Sequence, residues 1–255
     1  MSQQRTKKYY DLVGSISPVP DRPSLLSSGR LVVALFEFRA LPEIEHVLNA
    51  VSQVYPSPNS IGLSIVYGTQ NQEYVEKRWG DWPGIILVNT GDFNHDARSY
   101  SARLETPELW ENFKAFDHVL LIQCDALLLR PIPESYFKYD YIGAPWSNPE
   151  FRGLAGNGGF SLRRVSAMVR ACERNRGLKL DQVRLEHGYE DGFFCRQPSF
   201  TYPSPTERDH HLAFCIESIY HPDPIGLHKV YHWISNYAEW EAILANIRAK
   251  FKLSG

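Results

Sequence analysis

Short apolar runs alternate with amphipathic segments through the first half of the chain. RLVVALFEF (residues 30–38), IGLSIVYG (61–68) and GIILVNTG (84–91) are rich in branched and aromatic residues, which predicts buried strands. Apolar residues at helical spacing predict a helix at 42–55, and QEYVEKRW (72–79) predicts a shorter one. Because these strands are too apolar to be half-exposed, the pattern predicts an α/β fold with a mainly parallel central sheet flanked by helices.

A fourth apolar run contains a single carboxylate. Residues 106–116 start like a helix, with Thr106 as N-cap and Pro107 at the first helical position, and DHVLLIQCDALLL (117–129) then predicts the fourth strand. Burying an unpaired charge is costly, so Asp125 should be paired, metal-bound or near the solvent end of its strand.

Asp125 is therefore a candidate metal ligand. Ligands of parallel sheets bind outside the carboxyl ends of the strands, and hard divalent cations prefer oxygen ligands, which the Gln123-x-Asp125 pair offers there. The alternative is a strand-end aspartate that accepts backbone N–H hydrogen bonds.

A glycine-rich loop follows in the second half of the chain. Within GNGGFSLRR (156–164), Gly156, Gly158 and Gly159 allow positive φ and a close approach of backbone to a ligand, and Asn157 can present an amide. A tight loop between strands explains the same residues. The spacing is neither that of a P-loop nor that of a dinucleotide-binding fingerprint.

An acidic pair precedes two aromatic residues in HGYEDGFFCR (187–196). The segment reads as a helix start at which a carboxylate caps N–H groups. Alternatively, Asp191 or Glu190 is a general base whose pKa is raised by the adjacent aromatic wall.

A late segment, PIGLHKVYHW (224–233), combines histidine and lysine. His228 can supply one metal ligand and Lys229 an ammonium group for phosphate. If the segment is helical, His228 and His232 could instead form a zinc pair, although HExxH is absent. A packed core histidine is the remaining alternative.

Length and composition indicate one ordinary globular domain. Of the 255 residues, 43% are hydrophobic and 22% charged. We predict an N-terminal arm at 1–29 and a single domain at 30–255, with a nucleotide-binding half (30–130) and an acceptor half (131–255). SAMVRACERN (166–175) and EWEAILANIRAKF (239–251) predict helices in the second half.

Charge and cysteine usage exclude several classes of protein. With a net charge of -2 and a pI near 6.5, the chain has no overall positive potential that would attract nucleic acid. No apolar region follows the basic start at residues 1–8, and no run is long enough to span a bilayer. The four cysteines show no CxxC spacing, so we expect a cytoplasmic protein with reduced thiols.

In their order along the chain, these motifs resemble the GT-A glycosyltransferases. LLIQCDALLL is similar to the metal-binding strand of that fold, whose usual signature is Asp-x-Asp. YDYIGAPW, GNGGFSLR, YEDGFF and GLHK resemble successive elements: an acceptor-side loop, a donor-site loop, an acidic catalytic segment and a late metal-ligand histidine. The resemblance covers roughly residues 30–235 and is to a little-characterised group of small single-domain proteins with a Gln-x-Asp variant.

The resemblance implies a transfer of a hexosyl or deoxyhexosyl group from a UDP- or GDP-linked donor to a hydroxyl of a glycan or other acceptor. Mn²⁺ or Mg²⁺ would be held by Asp125 and His228, because Gln123 replaces the first acid. Asp191 would be the base of an inverting reaction, with Glu190 as the alternate and a retaining reaction also open. Trp146 would help shape the acceptor side. The residues expected at the donor are Glu37, Arg39, Arg103, Gln123, Asp125, Asn157, Gly158, Gly159, Lys229 and Trp146.

Two other functions stay open. A metal-dependent hydrolase of a sugar phosphate or nucleotide sugar would use the same Asp, His and acidic segment to activate water. A non-catalytic carbohydrate-binding protein would use the aromatic residues without a metal.

Overall fold

The computed structural model describes residues 2–18, 22, 24–57, 59–92, 96–151, 154–174 and 189–253. The strands described are β1 (Gly29–Phe36), β2 (Gly62–Tyr67), β3 (Ile86–Asn89), β4 (Phe116–Ile122), β5 (Ala126–Leu128), β6 (Tyr141–Ala144), β7 (Asn157–Arg164), β8 (Cys215–Ile216) and β9 (Gly226–His228). The α-helices described are α1 (Ser2–Val13), α2 (Glu43–Val54), α3 (Gln72–Trp79), α4 (Ala97–Leu104), α5 (Pro107–Glu111), α6 (Val165–Arg174), α7 (Glu190–Phe194), α8 (Arg208–Phe214), α9 (Val230–Trp233) and α10 (Tyr237–Phe251). Short 3₁₀ turns occupy Thr69–Asn71, Glu134–Tyr136, Pro149–Phe151 and Pro205–Glu207.

The central sheet has six strands in the order β3-β2-β1-β4-β7-β6. The first four of these are mutually parallel, β7 is antiparallel to β4, and β6 is antiparallel to β7. Consequently β6 runs in the same direction as β4, and the carboxyl ends of β1, β4 and β6 share one edge with the start of β7. The predicted α/β fold with a mainly parallel central sheet is confirmed.

Both faces of the sheet are buried, which is why its strands read as continuous apolar runs. Alternate residues of β1 belong to two separate cores. Leu31, Val33 and Leu35 lie with the apolar faces of α2 and α10, and Val32, Ala34 and Phe36 lie with those of α5 and α6. The first three predicted strands and the helices predicted at 42–55 and 72–79 are found within a few residues of their predicted bounds, whereas the helix predicted to start at Thr106 ends at Glu111.

The fourth predicted strand is wrong in its length. Residues 117–129 do not form one strand: β4 ends at Ile122, and the chain turns with the N–H of Ala126 donating to the carbonyl of Gln123 (3.1 Å). β5 then joins a separate three-stranded sheet in the order β5-β9-β8. The apolar run is long enough for two short strands, and the polar residues 123–125 lie at the break between them.

The N-terminal segment contains a helix that the sequence pattern did not predict. α1 packs against α9 and α10, and only a narrow stripe of it, Tyr9, Leu12 and Val13, is buried. Most of its positions are polar, so the segment lacks the apolar content on which the prediction of helices relied. The division into an arm and two half-domains stays a prediction.

Two further observations bear on the class of protein. In the part of the chain that the structure describes, no helix has the length and apolar character needed to cross a membrane. All four cysteines are free thiols and buried.

Candidate functional site

A cavity of about 330 Å³ opens at the carboxyl ends of β1 and β4. Its walls include Glu37 and Arg39 after β1, Gln123 and Asp125 after β4, and Lys229 after β9. Parallel strands bring these segments together because their carboxyl ends lie on one edge of the sheet. Half of the residues predicted at the donor therefore line one cavity.

The pairing of β5 with β9 brings Asp125 and His228 together. In this antiparallel pair Ala126 lies opposite His228, so the preceding Asp125 lies beside the histidine ring. His228 Nε2 is 3.5 Å from Asp125 Oδ1. Both atoms are buried and make no hydrogen bond with described residues. No described backbone N–H donates to the Asp125 carboxylate, so the strand-end capping alternative finds no support.

Lys229 holds the other carboxylate oxygen of Asp125. Its Nζ lies 3.5 Å from Asp125 Oδ2, and its backbone N–H donates to the Asp125 carbonyl (3.1 Å). Lys229 has a left-handed φ of 48°, an uncommon conformation for a residue with a Cβ. Burial alone would raise the pKa of Asp125, but His228 and Lys229 lower it to about 2. The carboxylate is therefore ionised at neutral pH.

His228 lies between two carboxylates. Its fully buried ring places Nδ1 at 3.1 Å from Glu217 Oε1, on the side away from Asp125. Burial would lower the pKa of His228, but the two carboxylates raise it. Glu217 is a residue that the sequence analysis missed, and it orients the ring so that Nε2 faces Asp125. Because His228 belongs to a strand, the predicted alternative of a helical zinc pair with His232 is wrong.

Gln123 supplies a third polar atom at the same point. A methyl group placed on Gly159 would lie 2.3 Å from His228 Nε2 and 2.7 Å from Gln123 Oε1. Among the described residues no three His, Cys, Asp or Glu side chains cluster closely enough to hold a metal ion. The donor set fits a cation that takes an aspartate, a histidine and an amide oxygen from the protein and further oxygens from a ligand.

Both carboxylate oxygens of Glu37 already accept hydrogen bonds from neighbouring groups. Its Oε1 accepts from the N–H groups of Phe38 (3.0 Å) and Arg39 (2.9 Å) and from Arg39 Nε (2.7 Å). Its Oε2 accepts from Arg39 Nη2 (2.9 Å) and from the Cys124 thiol (2.7 Å). Burial would raise the pKa of Glu37, but these donors lower it. Of the two residues, Arg39 is the one available to a ligand in the cavity, because its side chain is 59% exposed.

The acidic pair occupies the short helix α7, next to the glycines of β7. A methyl group on Gly158 would lie 2.5 Å from Glu190 Oε1 and 3.4 Å from the Asp191 Cβ. Glu190 is buried, and its Oε2 accepts from Ser101 Oγ (3.0 Å). Burial raises the pKa of Glu190 to about 7, and burial also raises the pKa of Asp191. Asp191 is the more exposed of the two acids.

The space beside Gly158 and Gly159 is occupied by side chains of the protein and not by a ligand. Only Gly156 of the three predicted glycines has a positive φ (104°). Gly158 is needed because Glu190 and Arg163 fill the space next to it, and Gly159 because His228 does. Asn157 Oδ1 accepts from the Gly159 N–H (2.8 Å) and so stabilises the turn.

Arg163 is fully buried beside the acidic pair. Its guanidinium carbon lies 5.1 to 5.4 Å from the ring centroids of Trp110, Tyr141 and Phe194. Its Nε donates to Ser161 Oγ (2.8 Å), and its Nη2 lies 3.7 Å from Glu190 Oε1. Three aromatic faces and one carboxylate thus compensate a charge that is removed from water.

Five of the ten residues predicted at the donor do not line this cavity: Arg103, Trp146, Asn157, Gly158 and Gly159. Arg103 lies near the end of α4. Trp146 follows β6 and lines a second cavity of about 530 Å³ at the same edge of the sheet. The predicted roles of these residues in donor binding stay predictions.

A family model described as "Protein of unknown function (DUF5672)" matches residues 86–228. This range is more than half of the chain and includes Asp125, Gly158, Glu190 and His228. The chain belongs to the DUF5672 family. No curated protein matches the sequence.

Solved glycosyltransferases are similar in structure to this DUF5672 chain. The apo form of the glycosyltransferase GlyE from Streptococcus pneumoniae TIGR4 shares 14% identity, with a TM-score of 0.49, over 88% of this chain and 62% of the GlyE chain. An active-site mutant of LgtC shares 12% identity (TM-score 0.49) over 84% of this chain and 95% of its own. The mannosyltransferase PcManGT from Pyrobaculum calidifontis, in complex with GDP-Man and Mn²⁺, shares 14% identity (TM-score 0.39) over 75% of this chain and 58% of its own. At this level of similarity, the roles of the site residues in the DUF5672 chain have to be argued from the geometry of the chain itself.

Proposed function

We propose that this DUF5672 chain is a glycosyltransferase that moves a sugar from a nucleotide-diphosphate sugar to a hydroxyl of a glycan or other acceptor. The observation that carries the proposal is the pair of buried atoms Asp125 Oδ1 and His228 Nε2, which form a 3.5 Å ion pair and make no hydrogen bond with described residues. Asp125 lines the cavity. Buried polar atoms are almost always hydrogen-bonded, and an ion pair at 3.5 Å without a hydrogen bond leaves both atoms able to take a ligand. A divalent cation satisfies both atoms at once.

Asp125 and His228 would hold Mn²⁺ or Mg²⁺, with Gln123 Oε1 as a further oxygen donor. Such an ion, when bound, offsets the charge of a departing diphosphate. Lys229 would add a positive charge on the same side, since its Nζ already lies next to Asp125. Arg39 would contact the nucleotide end of the donor, because Glu37 holds its guanidinium at the cavity wall.

Asp191 is the proposed base that takes the proton from the acceptor hydroxyl. Its carboxylate is partly accessible, and burial raises its pKa toward the range in which a base is effective. Glu190 is less suited to this role, because it is buried and accepts from Ser101 Oγ. We propose an inverting reaction, in which Asp191 removes the proton on the face opposite the departing diphosphate.

Metal-dependent nucleotide binding tests the donor half of the proposal. We expect Mn²⁺ to tighten the binding of UDP or GDP to the wild-type chain in calorimetric titrations, and Asp125→Asn to abolish that effect. Asp117→Asn is the matched control, because Asp117 is an exposed residue at the opposite end of the strand that precedes Asp125. The proposal fails if Mn²⁺ leaves nucleotide binding of the wild-type chain unchanged, or if Asp125→Asn retains the full Mn²⁺ effect.

Product analysis separates transfer from hydrolysis. A transferase should release nucleotide from a suitable nucleotide sugar in proportion to added acceptor, and the sugar should be recovered on that acceptor. Release of free sugar at the same rate without acceptor would instead identify a hydrolase.

A further inference from the structure

The second cavity is separate from the donor cavity but lies at the same edge of the sheet. It is lined by the loop after β6, including Trp146 and Phe151, and by Arg208 and His211 of α8. At about 530 Å³ it has the volume of an ordinary small-molecule site. Since β6 and β4 run in the same direction, this cavity lies beside the site already described.

Neighbouring contacts connect the second cavity to the acidic pair. Trp146 is two residues after Ala144, which pairs with Asn157 at the start of β7. The next residue, Gly158, contacts Glu190 and Asp191. A ligand in the second cavity is thus separated from the proposed base by the ends of two adjacent strands.

His211 lines the cavity, and two backbone carbonyls hold one of its ring nitrogens. Its Nε2 lies 3.1 Å from the Gly143 carbonyl and 3.2 Å from the Ala155 carbonyl. Because both neighbours are acceptors, Nε2 must carry the proton. Burial lowers the pKa of His211, which favours the neutral ring. Nδ1 then has a lone pair that no described residue uses, and a sugar hydroxyl can donate to it.

Trp146 and Phe151 provide apolar faces for a sugar ring. Their ring centroids are 5.5 Å apart with an angle of 53° between the planes, and both side chains are partly exposed. Flat aromatic faces with open space in front of them suit the apolar C–H face of a pyranose. Together with His211, they match a carbohydrate better than a purely apolar ligand.

Arg208 adds an uncompensated positive charge. It is exposed, and it forms no hydrogen bond or ion pair with any described residue. Both of its sequence neighbours are acidic, but Glu207 is paired with Lys138 and Asp209 lies 3.5 Å from His221. An anionic group of a ligand is the partner that fits this guanidinium.

We propose that the second cavity is the acceptor site and that the acceptor is a sugar with an acidic substituent, a carboxylate or a phosphate, bound by Arg208. The proposal rests on the proposed function and specifies its acceptor. Trp146 stacks on the sugar ring, His211 accepts from a hydroxyl, and Arg208 selects the charged substituent.

Three small sugars serve as probes in NMR titrations: methyl β-glucuronide, glucose 6-phosphate and the neutral methyl β-glucoside. The indole N–H signal of Trp146, assigned by its loss in Trp146→Tyr, reports occupancy of this cavity. We expect at least one acidic sugar to bind about tenfold more tightly than the glucoside, as one charge-assisted contact predicts. Which of the two binds distinguishes a carboxylate from a phosphate.

Arg208→Gln should remove this preference and leave the binding of the glucoside unchanged. The matched control is Arg170→Gln, because Arg170 is an exposed arginine on α6 outside the cavity, and it should behave as the wild type. Equal affinities of the wild-type chain for all three sugars, an unchanged preference in Arg208→Gln, or no shift of the Trp146 signal would each overturn the inference.

Nucleotide binding on the same samples separates the two proposals. If Mn²⁺-dependent binding of UDP or GDP is present but the acidic sugars are not preferred, only the acceptor inference fails. If acidic sugars bind through Arg208 but Mn²⁺ has no effect on nucleotide binding, the acceptor inference loses its basis in the proposed function, and the cavity is an acidic-sugar site of another kind.

Discussion

Replacing Glu190 by glutamine should make the stability of the protein less dependent on pH. In the folded chain, burial raises the pKa of Glu190 from 4.5 to about 7. The folded state therefore binds this proton more tightly than the unfolded chain does. The resulting stabilisation is complete below pH of about 4.5 and is lost as pH rises through about 7.

The size of the effect follows from the same shift. One pKa unit corresponds to about 1.4 kcal/mol, so the difference between 4.5 and about 7 amounts to about 3 kcal/mol of stability lost between acidic and mildly alkaline pH. Glutamine has nearly the shape of the protonated acid and does not ionise. Part of this effect lies below about pH 5. Relative to the wild type, Glu190→Gln should therefore become more stable by about 2–3 kcal/mol as pH rises from about 5 to about 8.

Thermal unfolding at those two pH values measures the effect. For a chain of this length, about 1 kcal/mol shifts Tm by roughly 2–4 °C, so the difference in Tm between variant and wild type should grow by roughly 5–10 °C. Glu73→Gln, at an exposed position on α3, should show no such growth. If the difference for Glu190→Gln is the same at both pH values, Glu190 ionises as an ordinary surface acid and the reasoning is refuted.

Three further predictions concern the same region. Arg163→Met leaves the Glu190 carboxylate uncompensated, so it should cost about 3–5 kcal/mol of stability near pH 8 and clearly less near pH 5; equal losses at both pH values in denaturant unfolding would contradict this. Asp191→Asn should retain Mn²⁺-dependent nucleotide binding but lose turnover by a factor of about 10²–10⁴ in steady-state assays of transfer; normal turnover would exclude Asp191 as the base. Gly226→Ala would place a methyl group 2.2 Å from the buried Phe160 ring, so it should destabilise the fold by about 1–3 kcal/mol, and an unchanged Tm would show that the ring can move aside.

The sequence analysis predicted those elements whose buried residues form a recognisable local pattern. β1, β2 and β4 are buried on both faces, and their apolar runs were recognisable for that reason. The helix α1 was missed because only a narrow stripe of it is buried. The end of β4 at Ile122 was missed because apolar residues continue on both sides of Gln123-Cys124-Asp125, although the two short strands belong to different sheets.

The contacts of the candidate site depend on the register between distant segments, which periodicity does not contain. Asp125 meets His228 because Ala126 pairs with His228, and no local pattern specifies that pairing. Glu217 was missed for the same reason. Arg163 did leave a signal: two consecutive arginines end a strand, so the alternation of side chains must turn one of them inward.

The start of β7 relates the proposed base to the proposed cation donors. In β6, Gly143 pairs with Ser161 but the next residue, Ala144, pairs with Asn157, so residues 158–160 of β7 form a bulge. Consecutive residues of a strand face opposite sides, so Gly158 faces the acidic pair while Gly159 faces His228 and Gln123. A side chain at Gly158 would displace the acidic pair, and one at Gly159 would displace His228 and Gln123. Both glycines are therefore needed to keep the proposed base and the proposed cation donors in place on the two sides of β7.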